Sequence, residues 1–76
     1  QKDPKTQLQE WLQGRGHPLP QYEVEAVLGE DHAQAFLVLC ELTAPPGTFR
    51  GEGGSRRSAE QAAAAQALLA LRGEGP

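Results

Sequence analysis

The first segment of the chain has apolar residues at helical spacing and a well-defined helix start. Asp3 is a favoured N-cap residue, and Pro4 suits the first helical position because the N–H that it lacks would have no partner there. Gly14 interrupts the pattern, so the sequence predicts a helix that begins at Pro4 and ends near Gln13. One side of this helix carries the expected core residues Leu8, Trp11 and Leu12.

The middle of the chain has the period-two alternation of β-strands. Residues 22–28 predict a half-buried strand, residues 29–33 a hairpin loop, and residues 36–42 a second strand that is apolar on both faces. Residues 44–47, with two prolines and a glycine, predict a turn, and residues 48–51 a short third strand. The first strand is expected to turn inward Tyr22, Val24, Ala26 and Leu28. The residues in phase on the second strand are Phe36, Val38, Cys40 and Leu42.

A second helix is predicted from Arg56 to about Arg72, after a glycine-rich turn and the N-cap residue Ser55. Its inward stripe is made mostly of small side chains, which predicts a close approach to the sheet. The stripe comprises Ala63, Ala64, Ala67, Leu68 and Leu71. The predicted fold is therefore α+β in the order α-β-β-β-α, a three-stranded antiparallel sheet with two helices packed on one face.

Length and composition indicate one small domain. The 76 residues lie near the lower limit at which a single core is stable without disulfides or metals. We expect an ordered core over residues 3–72 and a tail over residues 73–76. Because the chain begins at Gln1 without a methionine, we also expect it to be a piece excised from a longer protein. The single cysteine, Cys40, excludes an internal disulfide and is expected in the core. No segment resembles a membrane span or signal peptide, so we expect a cytoplasmic protein.

The net charge of −3 argues against a nucleic-acid binder held by bulk charge, but the cations are locally concentrated. Arg56 and Arg57 directly follow the N-cap Ser55. Two guanidinium groups there are unfavourable for the helix itself, since acidic residues are preferred in the first turn. A helix N-terminus with added cations is, however, a good site for phosphate. The residues thus indicate either a phosphate site or a solvated basic helix start.

The first helix also carries a polar stripe, opposite its apolar one. This polar stripe consists of Thr6, Gln9, Glu10 and Gln13. It is either an ordinary wet helix surface or a set of donors and acceptors for hydroxyls and base edges in a shallow groove. An A-form RNA duplex displays 2′-hydroxyls in two successive shallow minor grooves, separated by a deep groove rimmed by phosphates. The polar stripe, the hairpin loop with His32, and the Arg56–Arg57 helix start suit these three features.

Catalysis is not expected of this chain. The sequence has no nucleophile–base pair, no metal-ligand spacing and no Walker-type phosphate loop. Glu23 and Glu25 share a strand face and indicate a solvated surface, whereas His17 and His32 lie in separate loops. We therefore expect neither a catalytic residue nor a metal or other cofactor in this fragment.

Four segments, spanning nearly the whole chain, resemble the double-stranded RNA-binding domain, most closely the version at the C-terminus of bacterial ribonuclease III. They are residues 3–10, 19–22, 29–32 with Phe36, and 51–63. The resemblance implies that the polar stripe meets one minor groove and that the His32 loop enters the next. It also implies that Arg56 and Arg57 contact phosphates across the intervening major groove, while Ser55 caps the helix and offers its N–H.

The resemblance further implies sequence-tolerant, shape-selective binding of A-form double-stranded RNA. The chain would be the substrate-gripping domain of an endoribonuclease, homodimeric through a magnesium-binding catalytic domain that precedes Gln1. The sequence departs from the family pattern at Gly54, where lysine is frequent, and at Arg56 and Arg57, which replace a lysine pair. Many eukaryotic relatives have lysine at the position of Glu60, whereas glutamate is usual there in the ribonuclease III version. The alternative is a protein-interaction module of the same fold, for which the residues outside the inward stripe are Ala62, Ala65 and Leu69.

Overall fold

The computed structural model describes residues 1–73 and contains five elements in the predicted order. They are α1 (Pro4–Gly14), β1 (Gln21–Leu28), β2 (Ala35–Thr43), β3 (Pro46–Gly53) and α2 (Arg56–Leu71). The strands form one antiparallel sheet in the order β1-β2-β3, and α2 packs on β2, β3 and α1. The predicted α+β fold is confirmed. Residues 74–76 of the predicted tail lie outside the described residues.

The core lies between the helices and the inner face of the sheet. Its buried side chains are Leu8, Leu12, Val38, Cys40, Leu42, Ala59, Ala63, Ala64, Ala67 and Leu68. Trp11, Tyr22, Phe49 and Leu71 are half-buried around it. The expected apolar stripe of α1 and the core position of Cys40 are confirmed, and no polar side chain among residues 1–73 is buried. The off-stripe residues of α2 (Ala62, Ala65 and Leu69) are half-buried rather than exposed.

The first strand departs from strict alternation near its middle. Val24 pairs with Val38, but the register shifts by one residue between Val24 and Ala26, so that Leu28 pairs with Ala35. A one-residue shift changes the face on which the following side chains lie. The prediction that Leu28 faces inward is therefore wrong, and its side chain is 54% exposed.

The third strand is longer than the four residues predicted, because it also includes Pro46 and Gly47 of the predicted turn and Glu52 and Gly53 after the predicted strand end. Gly51 and Gly53 both pair with β2 and lie directly beneath α2. A Cβ on Gly51 would overlap backbone atoms of Ala59 and Ala63. These glycines therefore allow the sheet to meet the small residues of α2, and only Gly54 and Ser55 separate the strand from the helix.

Candidate nucleic-acid interface

The polar stripe of α1 lies on the surface, as the sequence predicts. All four of its side chains, Thr6, Gln9, Glu10 and Gln13, are exposed. The Asp3 carboxylate accepts a hydrogen bond from the backbone N–H of Thr6 at 2.9 Å, which caps the helix and lowers the pKa of Asp3. Lys2 contacts the Glu10 carboxylate at 2.8 Å, so a neighbouring cation balances the one acidic member of the stripe.

The start of α2 is fixed by a capping box. The Ser55 hydroxyl accepts a hydrogen bond from the Ser58 N–H at 3.1 Å, and the Ser55 N–H donates to the Ser58 hydroxyl at 3.1 Å. Ser55 is thus the N-cap that the sequence predicts. Its backbone N–H is already used within the helix, so an additional role for that N–H toward RNA is not favoured by this geometry.

Arg56 and Arg57 project from the first turn of α2, which contains no acidic residue. Arg56 donates through Nε to Glu60 at 3.1 Å, and its side chain is 61% exposed. Arg57 is exposed and makes no ion pair within residues 1–73. Two guanidinium groups therefore add to the positive end of the helix dipole at a solvent-exposed position, which favours the approach of an anion.

The Glu60 carboxylate lies between the two helices. Its Oε1 accepts from Lys5 Nζ at 2.6 Å, and its Oε2 accepts from Arg56 Nε. The hydrogen bond from Lys5 lowers the pKa of Glu60, and the one from Arg56 adds to this effect. The Lys5 ammonium also lies 4.9 Å from the centre of the Tyr22 ring. Glu60 is therefore ionised, and its carboxylate binds one cation from each helix.

Gln61 joins the same helices with neutral hydrogen bonds. Its amide oxygen accepts from the backbone N–H of Lys5 at 3.0 Å, and its amide nitrogen donates to the Asp3 carboxylate at 3.0 Å. These contacts hold the first turn of α1 against the second turn of α2. A cleft of about 290 Å³ remains beside this junction, and Thr6, Gln9 and Arg57 all line it.

The hairpin loop with His32 lies at the same end of the sheet as the start of α2. Phe36, at the beginning of β2, pairs with Gly53, and Gly53 precedes the N-cap Ser55 by two residues. His32 itself is exposed in the loop between β1 and β2. The start of α2 thus lies near both the first turn of α1 and the end of the sheet that carries the His32 loop, whereas Glu10, Gln13 and His32 do not line the cleft.

The outer face of the sheet has the opposite electrostatic character. Glu23 and Glu41 are exposed on strands whose alternate residues face the core, and Glu52 is exposed on β3. Arg50 of β3 forms a two-point ion pair with Glu25 of β1, with nitrogen–oxygen distances of 2.8 and 2.9 Å. The cation on this face is therefore held in a salt bridge, whereas Arg57 on the helical side forms none within residues 1–73.

Comparison with known families identifies this fold. The sequence model of the double-stranded RNA binding motif matches residues 4–71. This chain belongs to that family. It is a double-stranded RNA-binding domain, and the family resemblance carried by the segments 3–10 and 51–63 is confirmed.

Curated relatives of the domain are bacterial enzymes named ribonuclease 3. That of Pseudomonas fluorescens strain SBW25 is 59% identical over 70 residues, which cover 92% of this chain and 31% of the relative. That of Proteus mirabilis strain HI4320 is 56% identical over 71 residues, with 93% and 31% coverage. The domain therefore spans about a third of these relatives and matches their C-terminal region.

Solved structures agree with the fold at the level of the whole domain. The structure of Arabidopsis HYL1, described in connection with miRNA processing, is 32% identical with a TM-score of 0.77. It covers 91% of this chain, and this chain covers 96% of it. The solution structure of both double-stranded RNA-binding domains of DRB4 is 30% identical with a TM-score of 0.69, covering 95% of this chain and 46% of that one.

Sequence reasoning did not identify Lys5, Glu60 and Gln61 as parts of this interface. The spacing of Arg56 and Glu60, one helical turn apart, is a signal for their ion pair. No local signal exists for the contact between Lys5 and Glu60, because these residues are 55 positions apart in the sequence. The domain fold alone brings them together.

Neither metal binding nor membrane insertion is indicated within residues 1–73. This part of the chain contains no group of three or more His, Cys, Asp and Glu side chains that could hold a metal ion. Neither helix in the same range has the length and apolar character needed to cross a bilayer.

Proposed function

We propose that the domain grips A-form RNA across two successive minor grooves and the major groove between them. The polar stripe of α1 would contact 2′-hydroxyls and base edges in one minor groove, and His32 would enter the next. Arg56 and Arg57 would contact phosphates that flank the major groove. The observation that supports this proposal is the position of the start of α2, which contacts the first turn of α1 through Lys5 and Glu60 and lies at the same end of the sheet as the His32 loop.

The chemistry of these surfaces favours recognition of duplex shape rather than of sequence. Thr6, Gln9 and Gln13 can donate to or accept from a ribose hydroxyl whatever the base. Arg56 and Arg57 offer charge-assisted hydrogen bonds to phosphate, which also carries no sequence information. DNA lacks the 2′-hydroxyl and has a different groove geometry, so it should bind more weakly.

A salt titration with a duplex of about 16 base pairs, the length that one such domain spans, tests this proposal. The same sequence should be measured as duplex RNA and as duplex DNA. We expect much tighter binding to RNA than to DNA. The affinity for RNA should fall as salt rises, since each phosphate contact contributes about −0.7 to −0.9 to the slope of log K against log salt. Equal affinity for DNA would contradict the proposal, and no binding at low salt would favour the protein-interaction alternative.

We infer further that the domain serves as the substrate-gripping part of a ribonuclease III-like endoribonuclease. The identity to the C-terminal region of the bacterial relatives supports this role. The parent would be a cytoplasmic homodimer whose catalytic domain supplies both the dimer contact and the magnesium-binding carboxylates. Deleting the present domain from such a parent should raise KM for duplex RNA more than it lowers kcat, whereas an unchanged KM would contradict the inference.

A further inference from the structure

Glu60 belongs neither to the polar stripe nor to the pair Arg56–Arg57, yet it contacts both helices. Its side chain is only 13% exposed, whereas those of its partners Lys5 and Arg56 are 35% and 61% exposed. Each carboxylate oxygen serves one cation, Oε1 the ammonium of Lys5 and Oε2 the Nε of Arg56. The carboxylate therefore links the first turn of α1 to the first turn of α2.

The way in which Arg56 binds Glu60 leaves its outer end available. A guanidinium group has five N–H donors, of which only the single Nε–H is directed at Glu60. Within residues 1–73, no ion pair engages its terminal nitrogens. A contact through Nε restrains the long side chain and leaves the terminal N–H groups free for a phosphate.

Lys5 is the second cation that Glu60 binds, and it belongs to α1. Its ammonium is bound by Glu60, and its backbone N–H donates to Gln61, the next residue of α2. Thr6 of the polar stripe immediately follows Lys5 in α1. The side chain that restrains Arg56 thus also contacts the first turn of α1, which carries Thr6 of the polar stripe.

We propose that Glu60 is a positioning residue for RNA binding, which holds Arg56 in the orientation that contacts phosphate and fixes it relative to the polar stripe of α1. This inference rests on the proposed function. It assigns a favourable role to a negative charge in a place where repulsion of the RNA would otherwise be expected. Pre-ordering a flexible arginine reduces the entropy that must be lost when RNA binds.

Electrostatic repulsion and side-chain positioning predict opposite changes in RNA affinity when Glu60 is replaced. Without Glu60 the interface has one negative charge fewer, so electrostatic repulsion alone predicts tighter binding of the E60A variant. Positioning predicts weaker binding, because Arg56 becomes free to adopt several rotamers and α1 loses one of its links to α2. The sign of the change therefore separates the two explanations.

The test uses the 76-residue chain and a duplex RNA of about 16 base pairs. Four variants are compared with the wild type: E60A, R56A, the double variant R56A/E60A, and the control E23A. Glu23 is an exposed carboxylate on the outer face of the sheet with no ion pair within residues 1–73, so E23A removes the same charge away from the RNA. Urea unfolding of every variant reports its stability.

We expect E60A to bind about three- to tenfold more weakly, in the range of couplings measured between contacting residues. Its salt slope should fall toward that of R56A, by up to about 0.7–0.9 if one phosphate contact is lost. E60A should weaken binding clearly less in the R56A background, where only its link to α1 remains to be lost, and E23A should bind as the wild type does. Equal or tighter RNA binding by E60A would overturn the inference. It would also be overturned if E60A weakened binding equally in the wild type and in R56A, because that result would indicate a general effect on the fold.

The same experiment distinguishes failure of this inference from failure of the proposed function. If the wild type does not bind duplex RNA, the proposed function itself is wrong, and the inference fails with it. If the wild type and E23A bind equally well and E60A does not weaken binding, the function stands and the positioning role is wrong.

Discussion

Replacing Arg57 with alanine should weaken RNA binding while leaving the domain as stable as before or slightly more stable. Arg57 is exposed and has no ion pair within residues 1–73, so its loss breaks no salt bridge and removes only a weak attraction to the Asp3 carboxylate. Its removal also takes a cation away from the first turn of α2, where the helix dipole disfavours it by about 0.3–1 kcal/mol at low salt. These two effects oppose each other, so the free energy of unfolding should stay the same or rise by at most a few tenths of a kcal/mol.

The expected loss of RNA affinity follows from one charge-assisted phosphate contact. Hydrogen bonds to charged groups contribute about 1.5–3 kcal/mol, and the exposure of Arg57 places it at the lower end of that range. About 1.5 kcal/mol corresponds to roughly a tenfold weaker affinity. The slope of log K against log salt should fall by about 0.7–0.9, because one fewer phosphate is neutralised.

The neighbouring Arg56→Ala variant should differ in stability although it loses a similar contact to RNA. Arg56 forms a pair with Glu60 four residues later, and such pairs stabilise helices by about 0.2–0.5 kcal/mol. This loss offsets the relief of the unfavourable dipole interaction, so R56A should have nearly the stability of the wild type. The comparison thus measures the contribution of the Glu60 contact to folding.

The assay combines binding of fluorescent duplex RNA at several salt concentrations with urea unfolding of the same samples. Arg50→Ala serves as the control, because Arg50 lies on the outer face of the sheet and pairs with Glu25 at 2.8 Å. It loses the same charge but should retain RNA affinity. If R57A binds RNA as tightly as the wild type, or if R50A is weakened as much as R57A, the assignment of α2 as the phosphate-binding element is refuted.

Three further predictions test the fold, the loop and the junction between the helices. Gly51→Ala should lower the free energy of unfolding by at least about 2 kcal/mol, because the new methyl group overlaps backbone atoms of α2; Gly54→Ala, with open space around it, should be nearly neutral in urea unfolding. His32→Ala should bind duplex RNA about fivefold more weakly, for one lost hydrogen bond of about 1 kcal/mol, with unchanged unfolding, and unchanged affinity would make the loop a simple connector. Folding lowers the pKa of Glu60 below its ordinary value of 4.5. The ionised Glu60 carboxylate therefore stabilises the fold above pH 4.5, and this stabilisation is lost as the pH falls through the folded-state pKa. Urea midpoints measured between about pH 6 and pH 3 should therefore fall less steeply for E60A than for the wild type, and parallel curves would contradict this.

Local patterns were sufficient to predict the order of elements and both helix starts. Asp3 and Ser55 act as N-caps through contacts with residues three positions later, and such contacts can be read directly from the sequence. The prediction failed for Leu28. The register shift between Val24 and Ala26 arises from the pairing of β1 with β2, so the sequence of β1 alone gives no signal for it. It also shortened β3, since a glycine in a strand has the same sequence signal as one in a turn.

The candidate interface was predicted only in part, for a related reason. The polar stripe, His32 and the arginine pair were recognised because each lies within one element or loop, and their exposure is confirmed. Their individual roles toward RNA stay predictions. The link from Lys5 through Glu60 to Arg56 joins two elements that are distant in the sequence, so its recognition required the packed structure.

The acidic composition of the domain becomes compatible with RNA binding once the positions of its charges are considered. The net charge is −3, but exposed carboxylates such as Glu23 and Glu41 lie on the sheet, whereas Arg57 lies at the start of α2. The domain measures 41 × 26 × 23 Å, and its shortest dimension is nearly three times the screening length of about 8 Å at physiological ionic strength. A phosphate bound at α2 would therefore respond mainly to the nearby arginines, and carboxylates on the far face would have little effect on it. In the proposed binding mode, substitutions at Glu23 should affect solubility more than RNA binding, whereas changes at Glu60 should alter RNA binding itself.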